Sequence, residues 1–406
     1  MEADDGGGGA GAGAGWDFLE WVGPDTSSCV FELLYHPADL ARAAAVSRSW
    51  RRFVIDNEFC KRLCRRLCPE VASFTRAAVV TRRPEAAASE SSRDAELRAR
   101  ERDHAVYCHL GGALVSGGPS EDCILACVGA SSTDNFPQEA VDNTLQPQER
   151  VNGHSSYWSS GGQDEPDVPE SLIYRLTSDL CLVDEIRIRP FRAYFQPGNP
   201  IYSSRAVRIR MGHSMLPPGT ETFVTDENEN LTAMADENYT WTYTSPEFPV
   251  LQESVLQTFK LPRPALCIGG IVKFELLGRI QKQATDDRYY ICICHAQVMG
   301  RSLSPDLMVD ISNPADYSIL KYLPGASKLS EDDTLNNDGS DSTEWHSLVS
   351  RYRQMRHLAI SNPMFGPAQR NLLLGPVQFV DEDDYEGGDI DGYMNIHIHM
   401  DGFMEM

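Results

Sequence analysis

Cys60, Cys64 and Cys68 recur at every fourth residue, so a helix would align their thiols on one face, and thiolate is a donor that zinc favours. Three thiols strung over two helical turns cannot easily wrap a tetrahedral ion, and no nearby histidine completes the set, so buried packing is the expected role. Cys292, Cys294 and His295 share an alternating segment in which the two cysteines point the same way, and core packing again outweighs ligation. His397 and His399 alternate beside an acidic run, a weak metal-scavenging pattern. Asp134 and Asp142 are carboxylates in turn-rich segments, where aspartate commonly hydrogen-bonds the turn backbone. Arg48, Arg51, Arg52, Lys61, Arg62, Arg65 and Arg66 form a positive stripe. No aromatic stacking platform or nucleic-acid reader motif accompanies it, so a solvated helix face or contact with an acidic partner is expected.

No Gly-x-x-x-x-Gly-Lys-Ser/Thr loop, Gly-x-Ser-x-Gly turn, His-Glu-x-x-His pair or EF-hand loop occurs. The expectation is therefore a non-catalytic protein with no cofactor and no resident metal. The 406 residues carry a net charge of −23, which argues against a whole-chain electrostatic grip on nucleic acid or anionic lipid. No apolar stretch approaches the roughly 20 residues of a membrane helix. The start, Met1-Glu2-Ala3-Asp4-Asp5 and then Gly/Ala, lacks a basic, apolar signal. A soluble intracellular chain in cytoplasm or nucleus, with its 11 cysteines reduced, is expected. The sequons at Asn230 and Asn238 then read as accidental.

Five textures position these residues. Residues 1–15 are acidic and then Gly/Ala, which cannot bury apolar surface and read as disordered. Residues 16–70 read as short helices: Leu40, Ala43, Val46 and Trp50 follow helical spacing, as do Phe59, Leu63 and Leu67. Residues 71–105 read as a charged helical linker, with Asp94/Arg98 and Glu96/Arg100 at i,i+4. Residues 106–305 alternate with period two, as in Val207, Ile209 and Met211 or Val272, Phe274 and Leu276, which predicts an antiparallel sandwich or barrel. The interval 213–249 reads as a large loop or hairpin. Residues 306–406 read as a partly disordered acidic tail with one helix over Trp345–Ile360.

Gly23-Pro24, Val30-Phe31-Glu32-Leu33-Leu34, Asp39-Leu40 and Val46-Ser47-Arg48-Ser49-Trp50 resemble the F-box. Gly23 stands where Leu is usual, and Cys60 where Trp is usual. The resemblance implies a helical module that docks on a Skp-type adaptor of a cullin–RING ubiquitin ligase. Pro24, Val30, Phe31, Leu33, Leu34, Leu40, Val46 and Trp50 are the adaptor-binding residues it implies. About fifty residues bury too little surface for a robust core, so a partner helix covering Leu33, Leu34, Leu40 and Trp50 would complete it.

Ala130-Ser131-Ser132-Thr133-Asp134, Ala140-Val141-Asp142-Asn143, Tyr157-Trp158-Ser159-Ser160 and Val272–Gly278 resemble the discoidin or galactose-binding-like sandwich. Together the two resemblances suggest a plant F-box protein with a C-terminal jelly roll. The implied fold class is α+β multidomain: a small all-α F-box, an antiparallel β-sandwich and an acidic tail. The implied function is a substrate receptor of an SCF-type ligase that captures a protein or glycoprotein target, without nucleic acid or membrane. The rival reading is a lectin-like module with no ligase role. Trp158 could be a sugar-stacking platform or a core residue, and the need to fill the space between two sheets favours the core.

Overall fold

The computed structural model describes residues 17–80, 92–151, 154–216, 234–313 and 317–326. The N-terminal Gly/Ala segment, most of the acidic tail, the Trp345–Ile360 stretch, His397 and His399 lie outside them.

Five short helices open the chain: α1 (Phe18–Val22), α2 (Pro24–Glu32), α3 (Pro37–Ala44), α4 (Arg48–Asp56) and α5 (Phe59–Leu67). Their starts are encoded locally. Asp17 accepts from the Leu19 N–H at 3.0 Å, and the Ser47 hydroxyl accepts from the Trp50 N–H at 3.1 Å. Pro24 and Pro37 occupy first-turn positions, where a missing N–H costs nothing. On α5, Phe59, Cys60, Leu63 and Cys64 face inward while the basic residues face out.

The residues expected to form a solvated linker do not. Phe74–Val79 is a strand (β1), and α6 spans Ser92–Val115. The Glu96–Arg100 pair forms on the exposed side of α6 at 2.8 Å, while Val106, Tyr107 and Leu110 are buried against α3 and α5. The charged first half of α6 masks an apolar second half, and that half needs a partner. The chain supplies one.

Two antiparallel sheets follow. One has β6 (Tyr239–Thr244), β5 (Ser204–Ser214), β8 (Ile271–Arg279), β3 (Glu170–Leu176) and β2 (Ile124–Ala130) in that order. The other has β7 (Gln257–Ile268), β4 (Leu180–Arg192) and β9 (Cys292–Ser302), with Glu121–Asp122 at the edge. Val207, Ile209 and Met211 point into the core between the sheets, as do Val272, Phe274 and Leu276. Arg208 and Arg210 point out to Glu275 (2.6 Å) and Asp236 (2.9 Å). The architecture is thus a short helical region followed by an antiparallel β-sandwich. Within the interval read as a large loop or hairpin, β6 is a sheet member paired antiparallel with β5, as the hairpin reading has it.

The boundary expected at 305 also moves. β10 (Leu307–Asn313) and β11 (Tyr317–Tyr322), assigned by sequence to the tail, form a third sheet in which β11 runs parallel to β1. A second hydrophobic core joins this sheet, the five helices and α6 to Leu180, Leu182, Leu266 and Ile268 of the sandwich. Glu70, almost fully buried, accepts from the Arg263 guanidinium at 3.0 and 2.5 Å. Arg301 donates to the Ala113 carbonyl at 2.7 Å. Helices and sandwich share a core, with no free linker among the described residues between them.

Candidate functional site

The structure divides the eight expected contact residues. Phe31 and Leu40 are 3% and 1% exposed and sit inside the helical core rather than on its surface. Phe31 stacks on Phe59 at 5.4 Å between ring centroids and meets Phe53 edge-on at 5.3 Å. Leu40 lies in the core shared with α6, so the covering helix expected from a partner comes from the same chain. Trp50 and Leu34 are half-buried, and the Trp50 indole N–H donates to Asp17 Oδ1 at 2.8 Å. Pro24, Val30, Leu33 and Val46 are exposed. Trp21 and Tyr35, which periodicity did not single out, are among the most exposed apolar residues of this region.

Two of the basic residues have structural work. Arg62 pairs with Glu32 at 2.5 Å, and Arg66 donates to the carbonyls of Glu32 and of Leu34 (2.9 Å), while lying 5.2 Å from the Tyr35 ring. Arg66 satisfies carbonyls at and just beyond the C-terminus of α2, where cations are favoured, and Arg62 holds the side chain of the last residue of α2, so the two fix the turn that displays Leu33 and Tyr35. This is a firmer role than a solvated stripe.

Cys60, Cys64 and Cys68 are buried. The histidine missing from the local sequence arrives on α6: Cys60 Sγ lies 2.8 Å from Cys108 Sγ, which lies 3.5 Å from His104 Nε2. The hydrogen bond from Cys60 holds the Cys108 thiol below the ordinary thiol range, with His104 helping and burial opposing. The same hydrogen bond, together with burial, raises Cys60. Asp134 and Asp142 join no group of three metal-type donors among the described residues.

In the sandwich, Trp158 is fully buried and its indole N–H donates to the Ser132 carbonyl at 3.0 Å. Tyr157 stacks on Phe191 at 3.8 Å. Cys292 and Cys294 pack in that aromatic cluster, and His295 Nδ1 is 2.8 Å from the Thr144 carbonyl. The side chains that drew attention in the sequence are occupied inside the domain.

The sandwich has two unlike ends. β4 runs for 13 residues, about 40 Å at 3.3 Å per residue, from Leu180 and Leu182 in the core shared with the helices to Phe191 at the far end. At that far end Tyr194, Phe195, Leu251, Val255, Leu256 and Ile280 are exposed. The register puts the segments that carry them at the same end of the two sheets: Gln257 pairs with Ile188, and Ser204 with Arg279. Arg279, fully buried, holds the adjoining loops. It donates to Ser160 Oγ (2.9 Å) and to the carbonyls of Gly161 (2.9 Å), Tyr289 (3.0 Å) and Val168 (3.1 Å), and it pairs with buried Glu170. None of the described helices is long and apolar enough to cross a membrane.

Residues 24–66 match the F-box-like family. Over 297 residues, 72% of this chain and 78% of the relative, the sequence is 43% identical to F-box protein At4g00755 of Arabidopsis thaliana. Among solved structures, the family 32 carbohydrate-binding module of Clostridium perfringens NanJ, in complex with galactose, is similar at 12% identity. It covers 42% of this chain and 90% of that one, with a TM-score of 0.27. The family 32 carbohydrate-binding module of Streptococcus pneumoniae EndoD is similar at 12% identity, over 43% and 97%, with a TM-score of 0.28.

Proposed function

This chain belongs to the family of F-box proteins, and from that premise we propose that it is the substrate-recognition subunit of an SCF-type cullin–RING ubiquitin ligase. Val30, Leu33 and Val46, with Trp21 and Tyr35, dock on the Skp-type adaptor, and Leu34 and Trp50 back them. The far end of the sandwich, around Tyr194, Phe195 and Leu256, captures a protein or glycoprotein target. The chain contributes no bond-making chemistry of its own. It holds a target at raised local concentration before catalytic subunits, which act in cytoplasm or nucleus.

The observation that carries this reading is the placement of two exposed apolar patches at opposite ends of one continuous structure. Exposed clusters of large apolar side chains mark interaction surfaces. A core shared by helices and sandwich keeps the distance between the two patches fixed, as a ligase positioning a target would need.

The test is co-purification of the full chain with a Skp-type adaptor and a cullin. Leu33→Asp is the diagnostic variant, because Leu33 is 65% exposed and its replacement leaves the core untouched. A carboxylate buried in the contact costs several kcal/mol, enough to abolish a micromolar interaction. Adaptor recovered equally with wild type and Leu33→Asp would reject the docking face. Glycan binding without any adaptor would favour the lectin-like alternative.

A further inference from the structure

We propose that Cys60, His104 and Cys108 form a Zn2+ site that staples α5 to α6. His104 and Cys108 sit at i,i+4 on α6 and so share a face, and that face meets Cys60 near the start of α5. The three ligand atoms all lie within 4.8 Å of one another. Two sulfurs and an imidazole nitrogen are the donor set that zinc prefers over harder ions.

The other buried cysteines behave differently. Cys64, Cys68, Cys123, Cys127, Cys181, Cys267 and Cys294 each donate to a backbone carbonyl, and Cys292 to the Ser159 hydroxyl. Cys181 also bonds the Cys123 thiol, but only Cys60 and Cys108, among the described residues, meet a histidine as a third donor. Packing alone accounts for the first group, since a buried thiol needs only one weak acceptor. It does not account for three soft donors converging from two helices.

The distances suit an ion after a small adjustment. Zn–S and Zn–N bonds of about 2.3 and 2.0 Å at tetrahedral angles set S···N near 3.5 Å and S···S near 3.8 Å. The Cys108–His104 separation is 3.5 Å already, and the sulfur pair, now 2.8 Å apart, would have to open by about 1 Å to take the ion. A shallow cleft lined by Glu58, Asp103 and Tyr107 opens beside Cys60 and His104 and gives water access to the fourth position. The two cations there are already neutralised. Lys61 is held by Glu58 at 3.4 Å, and Arg100 by Glu96 at 2.8 Å and Asp56 at 3.3 Å. The ion would add a cross-link to a helical unit small enough to need one.

The experiment is metal analysis of the untagged full chain, purified under reductant and loaded with Zn2+, with Co2+ as a spectroscopic substitute. We expect one equivalent of Zn2+, a thiolate-to-cobalt charge-transfer band, and a higher melting temperature with the ion present. Loss of a mere outer partner of a metal-bound histidine weakens binding by 10–100-fold. Cys108→Ser and His104→Gln, both at half-buried positions, should therefore weaken binding at least about tenfold while keeping the wild-type circular-dichroism spectrum. No Zn2+ above background, or undiminished Zn2+ in both variants, would overturn the site. Cys60 and Cys108 found blocked without reductant, released by dithiothreitol and indifferent to His104→Gln, would replace it with a disulfide.

Discussion

Replacing Arg279 with methionine keeps most of the side-chain volume and removes the charge. Arg279 is fully buried and serves five acceptors: Ser160 Oγ, three backbone carbonyls and the carboxylate of Glu170, which is itself 2% exposed. The variant therefore leaves the buried Glu170 carboxylate without its counter-charge and takes a donor from the Val168 carbonyl, while the Gly161 and Tyr289 carbonyls keep the Ser160 hydroxyl and the Gln163 N–H. Removing one partner of a buried ion pair costs about 3–5 kcal/mol, because the remaining charge stays desolvated. For a unit of this size each kcal/mol lowers the melting point by roughly 2–4 °C, so a fall of about 6–20 °C is expected. The assay is calorimetry or circular dichroism on the full chain, with Glu170→Gln added as the second step. Neutralising Glu170 removes the stranded charge, so the double variant should recover part of the loss, whereas two independent lesions would add. A single variant that melts with wild type, or a double variant that is less stable than the single by the full cost of Glu170→Gln alone, would refute the reasoning.

Phe31→Ala should cost about 3–5 kcal/mol of stability through a core cavity, whereas Leu33→Ala should leave the melt unchanged and weaken adaptor binding; thermal melts beside titration calorimetry separate the two. Trp158→Ala should destabilise by about 3–5 kcal/mol, since its ring is fully buried and its N–H bonded; a wild-type melt with loss of a glycan ligand would instead reinstate a stacking role. A fragment of residues 106–305 should aggregate or melt without cooperativity, because it bares Leu180, Leu182, Leu266 and Ile268. A fragment spanning 17–326 should melt in one transition, and a cooperative melt of the shorter piece would contradict the shared core.

What periodicity and caps encode was legible in the chain. The alternation around Arg208 and Lys273, the prolines that open α2 and α3 and the Ser47 cap each act within a few residues, so local sequence suffices to place those strands and helices. The F-box resemblance was legible for the same reason, since its spacing is that of neighbouring helical turns. Which of its apolar residues face outward was not. Phe31 and Leu33 are both large and apolar, and only the aromatic cluster of Phe53 and Phe59 together with α6 decides that one is core and the other surface. The same limit hid the role of α6, whose Arg/Glu-rich first half reads as solvated until α3 and α5 close over Val106 and Leu110. It hid β1, which pairs Phe74 with Ser318 across more than half the chain, and the meeting of Cys60 with His104 and Cys108. Contacts at such separation depend on which surfaces remain unburied after local elements form, and that selection is made by the packing of the whole molecule rather than by any window of its sequence.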